Sequence, residues 1–172
     1  PLGYLLVKRL YNNELAARLS ALFLALGPFL VRYSQEARMY GLVAFLVLLS
    51  TYALVRAVQT KSRLWWAVYA LVVAASLYTH YYAVFMILVH WAYILSRSNR
   101  KTKDGVFNLS WWGANVAAAL LFVPWLPTAY AQFSRVQGAF WIPKTTLTTL
   151  PNTLLQVTIY NNAGALTELA KV

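Results

Sequence analysis

Between two long uncharged runs sits a polar octet, Tyr33-Ser34-Gln35-Glu36-Ala37-Arg38-Met39-Tyr40. Leu19–Val31 before it and Gly41–Val55 after it carry no charge. Charges buried in a bilayer cost about 2.5–3.5 kcal/mol each on insertion scales, and those that persist are mostly functional. An Arg beside a helix N-terminus suits a lipid phosphate. A carboxylate such as Glu36 suits sugar hydroxyls, a divalent cation or proton transfer. Helical spacing would put Tyr33, Glu36 and Tyr40 on one face, with Ser34 and Arg38 on another. A purely structural alternative fits the same residues. Ser34 would cap a helix, Glu36 would complement its dipole in the first turn, and Arg38 would anchor the interface or pair with Glu36.

Two further segments carry chemistry. His80, within Tyr78-Thr79-His80-Tyr81-Tyr82, could donate to a phosphate or a sugar, with Tyr81 beside it; its structural alternative is an interfacial polar group at a turn. Arg135-Val136-Gln137-Gly138-Ala139-Phe140-Trp141-Ile142-Pro143 combines Arg135 with Trp141, whose indole could stack on a sugar or carrier headgroup or simply anchor the chain. His90 lies in an apolar stretch beside Trp91 and reads as structural. The two histidines have no nearby carboxylate, so a histidine metal pair is not supported. Glu14 is expected to pair with Arg18 at i+4. Asn108-Leu109-Ser110 matches a glycosylation acceptor but falls at the cytoplasmic edge of the expected topology. No Gly-rich phosphate loop, Gly-x-Ser-x-Gly or paired-carboxylate motif occurs.

These residues need a membrane scaffold to hold them. The chain is 60% hydrophobic and 11% charged, with mean hydropathy +0.54, against about 25% charged for soluble domains. An integral membrane protein is therefore expected. The net charge of +11 matches cytoplasmic loops rich in Lys and Arg, and nucleic acid is not expected as a partner. Without cysteine there is no disulfide, thiolate site or cysteine nucleophile. The chain opens on Pro1 with no signal peptide pattern, and Pro1–Val7 reads as the tail of an apolar helix, so a fragment of a longer protein is expected.

Five spans are expected. Leu19–Val31 is the first, loosened late by Gly27-Pro28, and Gly41–Val55 the second. The uncharged stretch Leu64–Leu95 would measure roughly 48 Å as one helix, too long for a core of about 30 Å. It divides at Tyr78–Tyr82 into two short antiparallel helices. Leu109–Tyr130 is the last, with Pro124 and Pro127 near its end. Ten basic residues (Lys8, Arg9, Arg18, Arg56, Lys61, Arg63, Arg97, Arg100, Lys101, Lys103) then fall on one side and five on the other, which makes the first side cytoplasmic. The octet, the His80 turn and the region after Tyr130 converge on the external side. Trp65, Trp66, Trp111 and Trp112 would form a cytoplasmic aromatic belt. Arg97–Lys103 reads as a solvated loop touching anionic lipid.

The octet followed by Gly41–Val55 resembles the external-loop motif of bacterial polytopic glycosyltransferases of the C-type fold, the protein-mannosyltransferase-like group (glycosyltransferase family 39 and relatives). Leu77–Tyr82, and Pro124-Trp125-Leu126-Pro127 leading to Arg135–Pro143, agree in order and spacing. The resemblance covers the chain up to about Pro143. It implies transfer of a sugar from a polyprenyl-phosphate carrier, at the outer membrane face, to a lipid, glycan or protein acceptor. Glu36 would be an assisting carboxylate. Arg38, Gln35, Tyr33, Tyr40, His80, Tyr81, Arg135 and Trp141 would bind substrate. The family's main catalytic acid, in an acidic first external loop, would precede this chain, so the fragment alone is expected to be inactive.

The sequence thus predicts an all-α polytopic transmembrane helix bundle. Residues 1–143 would form the glycosyltransferase core, and 144–172 an external or re-entrant segment opening the next region. Its partners would be a polyprenyl-phosphate sugar donor and membrane lipids. No cofactor is fixed by these residues, and a divalent cation is a candidate. Two rivals stay open: a transporter or flippase of lipid-linked sugars, which should show discontinuous helices near the midplane, and a non-catalytic membrane subunit.

Overall fold

A computed structural model describes residues 1–36, 38–98, 109–138 and 153, and the described elements are helical. The chain opens with a helical hairpin, α1 (Leu2–Tyr11) and α2 (Glu14–Leu26). Asn12 ends α1 in a left-handed conformation, φ 50°, and Asn13 caps α2 by accepting from the Ala16 N–H at 3.0 Å. Glu14 closes the turn: its carboxylate accepts from Lys8 at 2.7 Å, Arg18 at 2.9 Å and Tyr4 at 3.0 Å. The expected Glu14–Arg18 pair is present, and Lys8 extends it across the hairpin.

Gly27 then breaks the helix. α3 (Pro28–Gln35) leaves α2 at 49°, with Pro28 in its first turn, where a missing N–H costs nothing. A Cβ on Gly27 would lie 2.9 Å from the Phe23 carbonyl oxygen, so the bend requires glycine. The freed backbone groups are satisfied locally. Gly27 N–H donates to Phe23 O at 2.8 Å, and Gly27 O accepts from Val31 N–H at 3.0 Å.

Among the described residues two helices are long and apolar enough to cross a bilayer: α4 (Tyr40–Thr60), and the run Leu109–Arg135, which joins α7 (Leu109–Phe122) to α8 (Leu126–Gly138) through a 3-10 turn at Val123–Trp125. The bent α2–α3 pair raises the number to three. The expected five spans are therefore met by length and composition in two or three cases. The predicted break within Leu64–Leu95 is where the shortfall arises. α5 (Arg63–Thr79) ends at His80, a 3-10 turn covers Tyr81–Ala83, and α6 (Val84–Ser98) returns. At 17 and 15 residues these helices rise only about 25 and 22 Å.

α4 packs along α5, and α5 along α7. Small residues on the contact faces, Ala53 and Ala57, Ala70, and Ala114 and Ala118, let these backbones approach closely. Large rings fill what remains. Trp66, Tyr69 and Trp111 are buried, with Trp66–Trp111 and Tyr69–Trp111 ring centroids both 5.9 Å apart. Trp66 and Trp111 therefore belong to the core and not to an interfacial belt, which corrects that expectation for half of the quartet. Neighbouring helices decide it: both indoles point where α5 meets α7. Outward positions carry Leu22, Phe23, Phe45, Leu71, Phe85, Leu88 and Leu120, all exposed as a lipid-facing surface would be.

His90 is buried in this core and structural, as expected. Thr51 donates its hydroxyl to Val47 O at 2.8 Å, so it accepts from His90 Nε2 at 3.0 Å. That leaves Nδ1 as the acceptor for the Tyr69 hydroxyl at 3.3 Å. One ring thereby links α4, α5 and α6.

Candidate functional site

The octet does not open a helix. Pro28 has already started α3, so Ser34 and Gln35 lie in its last turn and Glu36 ends it in an extended conformation. Ser34 spends its hydroxyl on Val31 O at 2.8 Å, inside its own helix. The expected Ser34 cap and first-turn Glu36 are therefore corrected. The octet is a helix end followed by a tight reversal, in which the Arg38 N–H donates to Glu36 O at 2.7 Å before α4 begins at Tyr40. The start of α4 lies against the end of α3, where a Cβ added to Gly41 would make ordinary contact with Ser34 Cα at 3.6 Å.

This reversal gathers charge. Glu36 sits between two guanidinium groups, Arg32 Nε at 3.6 Å and Arg38 Nε at 3.8 Å. Both separations exceed direct hydrogen-bond length. The Arg38 side chain is 66% exposed and that of Glu36 29%. The Glu36 Oε2 atom is buried without a hydrogen bond. The Arg38 side of the cluster is long and largely exposed, and pairs of that kind stabilise a fold by about 0–1 kcal/mol. The ion pair proposed as the structural alternative for Arg38 does exist, in this loose form. Arg32 was not among the sequence candidates, although its i,i+4 spacing to Glu36 is a readable signal.

An aromatic path leads from the octet to the His80 turn. Tyr33 meets Tyr40 edge-on at 5.1 Å, and Tyr40 lies 6.2 Å from the His80 ring. Tyr33 and Tyr40 come together across the reversal between α3 and α4, not along the face of one continuous helix that their spacing suggested. His80 Nδ1 accepts from the Tyr82 N–H at 3.2 Å, which leaves Nε2 as the ring nitrogen available for an outside partner. Beside it, Tyr81 donates to Gln132 Oε1 at 2.7 Å and accepts from Trp125 Nε1 at 3.0 Å. Trp125 and Gln132 extend the site onto α8 and the turn before it; neither was picked as a site residue from sequence. Tyr78 adds a hydroxyl bond to Leu121 O at 2.9 Å and ring contacts to Phe122 and Trp125 at 5.5 and 5.4 Å.

The octet, the His80 turn and the start of α8 thus share one end of the bundle. Gln35 is exposed at the end of α3, and Arg135 is exposed on α8. Trp141 lies outside the described residues. Among the described residues no group of three or more His, Cys, Asp or Glu side chains lies close enough to hold a metal ion. Glu36 stands there between two positive groups, a poor setting for a second cation. The exposed Arg38 guanidinium, the His80 imidazole and the phenolic rings at this end are groups suited to anion recognition beside aromatic faces.

No curated protein and no solved structure gives a significant match to this chain. A sequence model of the dolichyl-phosphate-mannose-protein mannosyltransferases matches residues 2–127, from α1 through the octet, the His80 turn and the Pro124–Pro127 segment. The chain belongs to that family of membrane glycosyltransferases.

Proposed function

We propose that the full protein transfers a sugar, mannose as the family name suggests, from a polyprenyl-phosphate carrier to a lipid, glycan or protein acceptor at the outer membrane face. The observation that carries this reading is the meeting of Arg32, Glu36 and Arg38 with the Tyr33–Tyr40–His80 aromatic path at one end of the bundle. An acceptor hydroxyl attacks the anomeric carbon while the bond to the phosphate oxygen breaks. The carrier phosphate leaves with the electron pair, and the acceptor's proton passes to a carboxylate base outside this cluster. Arg38 neutralises the departing phosphate, an electrostatic role. Glu36 orients Arg38 and accepts from sugar hydroxyls. His80, through Nε2, and Tyr81 bind the phosphate or sugar. Tyr33, Gln35, Tyr40, Arg135 and Trp141 line the site. Residues 1–143 are the core in this reading, and 144–172 open the next region.

The broken α2–α3 span is the feature a transporter would share. The residues at that break, Leu24, Ala25, Leu26, Phe29 and Leu30, are apolar, whereas a transport site needs polar groups there. Polar groups gather at the octet instead, which favours the enzyme.

The test is transfer of labelled mannose from polyprenyl-phosphate-mannose by membranes holding the full-length protein, with Glu36→Gln and Arg38→Ala at matched expression. Loss of a transition-state donor typically costs about 10²–10³ in rate, and a fall of that size is expected for Arg38→Ala, with a clear fall for Glu36→Gln. Normal turnover in both variants would overturn the residue assignment; donor binding without any transfer would favour a transporter or subunit.

A further inference from the structure

A second site lies at the opposite end of α5 from His80. α5 and α7 run parallel: Trp66 faces Trp111 near their starts, and Tyr78 faces Phe122 near their ends, with ring centroids 5.9 and 5.5 Å apart. Between their first turns is a cavity of about 320 Å³, lined along its length by Ala67, Ala70, Gly113, Ala114 and Ala117, with Arg63 and Ser110 at its mouth. That volume is on the scale of ligand pockets, about 300–1,000 Å³. The groove opens sideways, since Ala67 and Gly113 are exposed and Leu109 at its rim is 88% exposed. The described helices leave this side of the groove uncovered.

The charge pattern specifies the occupant. Both helices present their N-termini at the mouth, and parallel helix dipoles add positive potential there. Ser62, the residue before α5, makes no side-chain cap, so the first N–H groups of α5 carry no side-chain acceptor. Arg63 adds a full positive charge, and among the described residues no carboxylate pairs with it. Small apolar walls below a cationic mouth suit a lipid with an anionic headgroup, and an anionic phospholipid would set its phosphate at Arg63 and Ser110 and an acyl chain along the alanine–glycine wall. We infer that the α5–α7 groove is a binding site for an anionic phospholipid, separate from the Glu36 cluster at the other end of α5.

Gly113 gives a clean way to close it, because a Cβ there would meet nothing within 4 Å. The experiment uses the full protein in phosphatidylcholine nanodiscs doped with phosphatidylglycerol bearing a photoreactive acyl chain. Photoreactive phosphatidylcholine is the control. Adducts are mapped by mass spectrometry, and thermal unfolding is followed in parallel. Adducts on the 63–70 and 109–117 segments are expected, stronger for phosphatidylglycerol. One basic residue near the surface is worth about fivefold in affinity for anionic lipid, so Arg63→Gln should cut phosphatidylglycerol labelling about fivefold towards the phosphatidylcholine level. Gly113→Leu should abolish labelling of both segments at unchanged unfolding temperature. Equal labelling by the two lipids would overturn the inference. So would adducts that survive Gly113→Leu, or an unlabelled groove cross-linked instead to another segment of the protein.

Discussion

Replacing His90 by Phe keeps the ring and removes both of its nitrogens. His90 holds Thr51 at 3.0 Å and Tyr69 at 3.3 Å. Interhelical hydrogen bonds in membrane proteins average about 0.6 kcal/mol and reach about 1.7. The Thr51 bond is the shorter and should lie above that average; the Tyr69 bond is long and should lie near it. Thr51 keeps Val47 O as its acceptor at 2.8 Å, so its hydroxyl is not stranded. The Tyr69 hydroxyl is stranded, on a fully buried residue, and an unmet buried donor costs about 1–3 kcal/mol. The void beside His90 is about 10 Å³ and is not lined by Tyr69, so hydration there offers the Tyr69 hydroxyl little relief. A total loss of about 2–3 kcal/mol is expected for His90→Phe. Tyr69→Phe removes the stranded hydroxyl and the longer bond together, and should cost about 0.5–1 kcal/mol. In the double variant the hydroxyl penalty disappears, so the two losses should add to less than their sum by about 1 kcal/mol. Reversible unfolding in mixed micelles with increasing dodecyl sulfate, followed by circular dichroism, measures all three. His90→Phe within about 0.5 kcal/mol of the parent, or strict additivity in the double variant, would refute the tautomer and bonding assigned to this ring.

The geometry sets further expected outcomes. Gly27→Ala should destabilise the protein by about 1 kcal/mol or more, because its Cβ would press on backbone at Phe23. Gly113→Ala, with open space around it, should be neutral or stabilising by up to about 1 kcal/mol; the same micelle titration ranks the pair. Tyr81→Phe removes the hydroxyl that joins Trp125 to Gln132. It should cost about 0.5–1.5 kcal/mol per lost bond and lower mannose transfer with little change in helix content.

Much of this scaffold is legible in the sequence because membrane dimensions are strict. Thirty-two uncharged residues cannot form one span, and the polar cluster at Tyr78–Tyr82 is where the chain turns. Gly27-Pro28 announced its bend, Glu14 its pairing with Arg18, and His90 its structural role. The Ser34–Glu36 reading failed because a Ser two residues before a Glu looks like a helix start only when no helix is already running. Pro28 had begun one, and the octet fell at its end. Trp66 and Trp111 misled for a different reason. Indoles near basic residues suit an interface, and only the packing of α5 on α7 shows that these two turn inwards. Of the site, Tyr33, Tyr40 and His80 were readable and do meet, and Tyr81 lies beside His80 in the turn, bonded across to α8. The links through Trp125 and Gln132 span more than forty residues of chain, and no local pattern encodes them.

The parallel pairing of α5 and α7 has a consequence for biosynthesis. The chain emerges from α4 onwards as a hairpin, yet two of the rings around Tyr69 come from α6 and α7: His90 at 5.5 Å and Trp111 at 5.9 Å. Until those helices are made, the Tyr69 hydroxyl faces hydrocarbon without its acceptor, a costly state. The nascent α4–α5 hairpin is therefore an unfinished product that must be sheltered, by the insertion machinery or at the bilayer edge, until Trp111 closes over it.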